Sequence, residues 1–144
     1  MIEQDTIRLM RECDAGIKMG VSSIDDVQNY VHDKRFHKLL TDSRNKHMDL
    51  DKELQSLLAD YHDDGKEPNL MAKGMSWIKT NAMLTVNGSD ATIADLITNG
   101  CNMGVKSLSK YLNQYAAADE KSKDITKKLI QIEEQLAVDT RSFL

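Results

Sequence analysis

Asp14, His47, Cys101 and Asp139 are the residues of this chain whose types could do chemistry. Each is a polar or ligand-type side chain on a helical stripe that otherwise reads as apolar. A histidine, a thiol and a carboxylate brought together are a donor set for zinc or a late transition metal. No short-range pairing such as Cys-x-x-Cys accompanies them, and that pairing is what makes a metal site legible in a sequence. The expectation is therefore no metal, with His47 a hydrogen-bonded seam histidine, Cys101 a small buried hydrophobe and Asp139 half exposed near a helix end. A single transition metal at these positions, or around Asp14, is the alternative. Cys101 with His47 would also make a nucleophile–base pair, but no oxyanion-donor loop, nucleophile elbow, P-loop or dinucleotide fingerprint accompanies it. No catalytic or cofactor-binding residue is expected.

Asp14 is the most constrained of the four, because its seam neighbours Met10 and Ile17 point inward. A buried carboxylate needs partners. Lys106, or a polar group of the second helix, is the expected one, and a register-fixing contact is the expected role. Gly16 with Gly20 and Gly100 with Gly104 each form Gly-x-x-x-Gly. Small residues at that spacing let two helix backbones close up, which is the expected reading; a ligand cavity between them is the alternative. His32, His37 and His62 have no second ligand at sound spacing and read as solvent groups. Cys13 and Cys101 differ in height by about five residues, roughly 7 Å at the helical rise, too far for an unstrained disulfide.

The elements that must position these residues are long amphipathic helices. The first runs from about Glu3 to Val31, with the seam Ile7, Met10, Asp14, Ile17, Val21, Ile24, Gln28 and Val31 at 3–4 spacing. Asp33 caps a second helix, about Lys34 to Asp63, whose stripe is Phe36, Leu40, Ser43, His47, Leu50, Leu54, Leu57 and Tyr61. The short join makes these two an antiparallel hairpin. Gly65 and Pro68 end the second helix. A short helix over about Leu70 to Leu84 follows, carrying Met71, Met75, Trp77, Ile78 and Met83 as an apolar side that packs on the bundle. Ser89 or Asp90 caps a third long helix, about Ala91 to Ala117, with Ile93, Ile97, Cys101, Gly104, Leu108, Tyr111 and Tyr115. Asp119 caps a fourth, about Glu120 to Ser142, with Ile125, Leu129, Ile132, Leu136, Asp139 and Phe143. The two hairpins are joined by about 24 residues. A link of that length travels along the bundle, so the second and third helices run parallel; an up-down bundle with a decorated loop is the alternative.

The bulk properties agree with a single all-α domain over residues 1–144. Hydrophobic residues are 40% and charged residues 29%, a balance that supports a packed core. The formal net charge of −4 argues against generic nucleic-acid binding. No apolar run is long enough to span a membrane, and the acidic start lacks the apolar region of a signal peptide. Two cysteines 88 positions apart form no motif, so a cytoplasmic setting with reduced thiols is expected.

Segments spread along nearly the whole chain resemble the ferritin-like superfamily, and among its members a bacterial branch of ferritin-like domains with no assigned function. The resemblance rests on Glu12-Cys13-Asp14-Ala15-Gly16, on Asp64-Gly65-Lys66-Glu67-Pro68 with Gly74 and Trp77, and on Leu84-Thr85-Val86-Asn87-Gly88-Ser89-Asp90. It continues in Asn99-Gly100-Cys101 with Tyr111, and in Gln131, Gln135 and Asp139. It implies a ferritin-like four-helix bundle: two antiparallel helical hairpins and one long crossover carrying a short helix. In that arrangement His47, Cys101 and Asp139 fall at similar heights, near Met19 and Gly20. Di-iron members of the superfamily use one Glu from each of two helices and Glu-x-x-His from each of the other two. Here Arg44 stands three residues before His47, Leu136 and Ala137 stand three after Glu133 and Glu134, and the third helix has only Asp95 as an acid. An intact di-iron centre is not expected. What is expected is a non-catalytic bundle acting by protein interaction or self-association, for instance as a homodimer. A metal-binding or redox protein with an altered single-metal site is the alternative.

Overall fold

The computed structural model describes residues 2–68 and 89–144. Four long helices make up the described fold: α1 (Ile2–Gln28), α2 (Lys34–Asp60), α3 (Asp90–Gln114) and α4 (Glu120–Thr140). A 3-10 turn, Arg141–Phe143, follows α4, and the described residues contain no strand. The caps follow from side-chain chemistry. Asp33 accepts from the N–H groups of Arg35 and Phe36, Ser89 from Thr92 and Asp119 from Ser122, which satisfies amides that the first turn leaves without partners. The helices end two or three residues earlier than the apolar periodicity suggests, at Gln28, Asp60, Gln114 and Thr140. The expected short helix over Leu70–Leu84, with Trp77 and its methionines, lies outside the described residues.

Hydrogen bonds at the two ends fix the helix directions. At one end Asp119 N–H donates to Thr6 Oγ1 at 2.8 Å, Ala117 N–H to Asp5 at 3.2 Å, and the Tyr61 hydroxyl to Asp119 at 3.2 Å. The start of α1, the end of α2 and the α3–α4 turn therefore share that end. At the other end the N–H groups of His32 and Asp33 both donate to the Asp90 carboxylate at 2.8 Å. There Phe36 also stacks on Phe143, with ring centroids 4.6 Å apart. Helices α1 and α4 run one way, and α2 and α3 run the other. Asp60 and Asp90 therefore lie at opposite ends of the bundle, roughly 40 Å apart for helices of this length.

Helix α1 packs on α2, α3 and α4, and α4 packs on all three others, while α2 and α3 occupy opposite corners. Two apolar clusters fill the interior. One contains Ile24, Val27, Phe36, Leu40, Ile93 and Leu136. The other contains Met10, Ile17, Leu54, Leu58, Ile125 and Leu129. The α2 stripe is as expected from Phe36 to Leu54, except that Leu58 rather than Leu57 closes it. The α4 stripe differs more. Glu133 is buried where Ile132 was expected, and Thr140 is buried where Asp139 was expected. Successive steps of three and four drift around a helix of 3.6 residues per turn, so the end of a stripe is displaced first.

Candidate functional site

Between the two apolar clusters lies a polar layer. His47 on α2 is fully buried and Glu133 on α4 nearly so. The Nδ1 of His47 is 2.8 Å from the Ser43 carbonyl oxygen, which only accepts, so Nδ1 carries a hydrogen. The Nε2 is 2.7 Å from Glu133 Oε1. Burial by itself pulls the imidazole pKa down. The hydrogen bond to Glu133, the negative charge of that carboxylate and the Ser43 carbonyl outweigh burial and leave the pKa raised. With the imidazole protonated, both N–H groups donate, one to a carbonyl and one to a carboxylate.

The glycines explain how this pair fits. A β-carbon on Gly20 would lie 2.7 Å from His47 Nε2 and 3.2 Å from Glu133 Oε1, so only glycine lets α1 pass over the pair. A β-carbon on Gly104 of α3 would lie 3.6 Å from Glu133 Oε2, an ordinary contact. The two carboxylate oxygens are thus turned to different helices, Oε1 to α1 and α2 and Oε2 to α3. Cys101 on α3 sits by the same carboxylate; burial first, then the nearby negative charge of Glu133, raise its thiol pKa strongly, so the sulfur stays protonated. Cys13 sits against Thr126 Oγ1 at 2.9 Å, and burial pushes its thiol up to about 12. Both cysteines are free thiols, and neither has the lowered pKa of a nucleophile or metal-binding thiolate.

Above the pair, a cavity of about 330 Å³ lies along α1 and α3. Both glycine pairs line it, Gly16 and Gly20 from one side and Gly100 and Gly104 from the other, with Glu133, His47 and Cys101 at its floor. Helix α1 does pack on α3, and the glycines also give room to side chains from α2 and α4: Leu129 at Gly16, His47 and Glu133 at Gly20, and Glu133 at Gly104. The apolar walls come from Met19, Ile24, Ile97, Leu108, Leu129 and Leu136. Near one end, Lys66 Nζ donates to Glu12 Oε1 at 2.7 Å. From Glu12 to Ile24 the lining covers about 18 Å of α1. The cavity is slender and holds one neutral ion pair at its floor and another towards its end.

The other expected site residues lie elsewhere. Asp139 is six residues beyond Glu133, about 9 Å along α4, and accepts a hydrogen bond from Gln135 at 2.7 Å on an exposed face. It does not join His47 and Cys101, and Glu133 takes its place. Asp14 is fully buried but belongs to a different cluster. Its Oδ1 accepts from Gln55 Nε2 at 2.9 Å, and its Oδ2 accepts from the Lys66 backbone N–H at 2.9 Å and pairs with Lys18 Nζ at 2.8 Å. A polar group of α2 is therefore among its partners, as expected, whereas Lys18 supplies the cation expected from Lys106. Gly65 has a φ of +85°, and a β-carbon there would collide with the Asp14 carboxylate.

A di-iron centre needs about four carboxylates and two imidazoles facing one point. The polar layer offers one of each, bonded to each other, beside a protonated thiol. Among the described residues no group of three or more His, Cys, Asp or Glu is arranged to hold a metal ion. The donor set does not fit the group that the superfamily resemblance implies. Among the described residues no helix is long and apolar enough to cross a membrane. Comparison with protein-family models, with curated proteins and with solved structures returned no match.

Proposed function

We propose that this chain is a ferritin-like bundle without a metal centre, and that it works as a small-molecule-binding protein rather than as an enzyme. The observation that carries this reading is the cavity of about 330 Å³ between α1 and α3. Binding sites for small molecules are concave, mostly apolar and furnished with a few placed polar groups, typically in volumes of about 300–1,000 Å³. The cavity has that character, with the His47–Glu133 and Lys66–Glu12 pairs among its polar groups. A general base needs a free lone pair near the reacting atom. Both nitrogens of His47 are occupied, so the pair orients a ligand better than it moves a proton. Direct binding replaces protein interaction as the primary role because the cavity is defined residue by residue. The same donor set supports the absence of bound metal and of a redox activity.

The experiment is titration of the purified protein with an uncharged fluorescent apolar probe such as 1-aminoanthracene, in parallel with Gly104→Leu. The β-carbon of the variant is accommodated at 3.6 Å and the rest of its side chain enters the cavity. Saturable binding of one probe per chain, lost in the folded variant, is expected. Absence of binding, or equal binding by Gly104→Leu, would refute the reading.

A further inference from the structure

Among the described residues, the charged or titratable side chains of the cavity lining are Glu12 from α1, His47 from α2, Lys66 beyond α2, Cys101 and Tyr111 from α3, and Glu133 from α4. Ser23 and Ser107 add hydroxyls, which do not titrate in the neutral range. The hydrogen bond to Glu12 holds the Lys66 ammonium pKa above its ordinary 10.5. Burial raises the Tyr111 phenol above 10.0 and the Cys101 thiol above 9.0. His47 is the group whose ordinary value, 6.5, lies near neutrality.

Both ring nitrogens of His47 face oxygen acceptors, Nδ1 the Ser43 carbonyl at 2.8 Å and Nε2 the Glu133 carboxylate at 2.7 Å. Two protons on the ring make both contacts hydrogen bonds. One proton leaves one contact as two lone pairs facing each other. Counted together, ring and carboxylate are neutral with the second proton and carry one negative charge without it, wherever in the pair that proton sits. The lining at this height does not compensate that charge. Gly20 of α1 and Gly104 of α3 bring no side chain, and the Cys101 thiol stays protonated. Lys66 is paired with Glu12, which stands eight residues before Gly20, about 12 Å along α1. An apolar molecule seated above the pair displaces water from it. A net charge removed from water is costly unless it is compensated, whereas a neutral hydrogen-bonded pair is far less so.

Resting on the small-molecule-binding reading above, we propose that ligand retention in the α1–α3 cavity is coupled to a proton: an uncharged apolar molecule is held while the His47–Glu133 pair keeps its second proton and is released when that proton is lost.

The intact protein is titrated with 1-aminoanthracene, which stays uncharged throughout, at intervals from about pH 6 to about pH 9, beside Glu133→Gln and His47→Gln. In the parent the dissociation constant should rise about tenfold across that range. The bound probe should also raise the NMR titration midpoint of His47, because such coupling is reciprocal. Glu133→Gln leaves no net charge once the ring is neutral, so its affinity should not fall as pH rises. His47→Gln leaves the carboxylate charge uncompensated at every pH, so its binding should be weak and flat. Circular dichroism at each pH checks that the helices are intact, and the NMR midpoint needs no variant. Equal affinity of the parent at both ends of the range, or a His47 midpoint that the bound probe leaves unmoved or lowers, overturns the coupling while the small-molecule reading stands. Failure of the probe to bind at any pH refutes that reading, and the coupling with it.

Discussion

Glu133 stands 86 residues from His47 in the chain and 2.7 Å from it in space. It is the one contact that joins α2 to α4 through the middle of the polar layer. Removing one member of a buried ion pair leaves the other without a partner, whereas removing both leaves an apolar gap that neighbouring side chains can line. Glu133→Leu should therefore lower the unfolding free energy by about 3 kcal/mol, and His47→Leu by a similar amount. The double variant should recover most of the loss. Chemical denaturation of the four proteins measures the coupling, and strict additivity would show that the two side chains act independently.

The same pair sets a pH dependence. The folded-state pKa of His47 is raised above its ordinary value of 6.5. The stabilisation it contributes is fully present below pH ~6.5 and is lost as pH rises through the raised folded-state value. Stability should thus fall as pH rises above about 6.5 and through the raised folded-state value, and the fall should be absent in the double variant. Proton–carbon NMR should find the His47 imidazole titrating above its ordinary value of 6.5. A His47 resonance that titrates below that value would contradict the Glu133 pairing.

Gly65 and Asp14 are linked by geometry. Gly65→Ala introduces a side chain at positive φ and drives it into the Asp14 carboxylate, so it should cost about 2 kcal/mol. The Lys66 amide, which donates to Asp14 at 2.9 Å, should exchange with solvent faster in that variant. Unchanged stability would mean that the turn is not held as described.

Truncation of the core provides a scale. Leu54 is completely buried, and Leu54→Ala should cost roughly 2–5 kcal/mol. Leu136 is buried but lines the cavity, so Leu136→Ala should fall at the lower end of that span. Lys127→Ala on the exposed face of α4 should cost less than about 0.5 kcal/mol. Similar losses at all three positions would show that α4 is rotated from the orientation described.

Elemental analysis of protein produced in iron- and zinc-supplemented medium should find neither two irons per chain nor ferroxidase activity. A single ion retained in wild type and absent in His47→Ala would instead favour an altered metal site.

The helices were legible because their signals are local. Asp33, Ser89 and Asp119 cap helices through bonds to amides two or three residues away, and such bonds depend on nothing distant. The parallel course of α2 and α3 was legible from the length of the link. Glu133 was not. A stripe read by hydrophobicity passes over a glutamate, and this one is tolerated inside only because His47 meets it from another helix. Asp139, on the line of the stripe beyond Leu136 but read as half exposed near the helix end, is half buried. Thr140 takes the inward position instead, its hydroxyl returned to the Leu136 carbonyl at 2.6 Å. The glycine pairs were visible as a pattern, but whether they close a gap or open one depends on the side chains that α2 and α4 send beneath them.

The contacts around Asp14 also bear on how the chain comes to be folded during synthesis. Arg11 pairs with Asp63, Glu12 with Lys66, and Asp14 with Gln55 and the Lys66 amide. Every partner lies within the first 66 residues. The α1–α2 hairpin thus carries a polar latch that is complete before Asp90 or any of α3 has left the ribosome. Domains form from the N-terminal side as they emerge. The open end of the first hairpin is thus fastened by contacts that need nothing from the second.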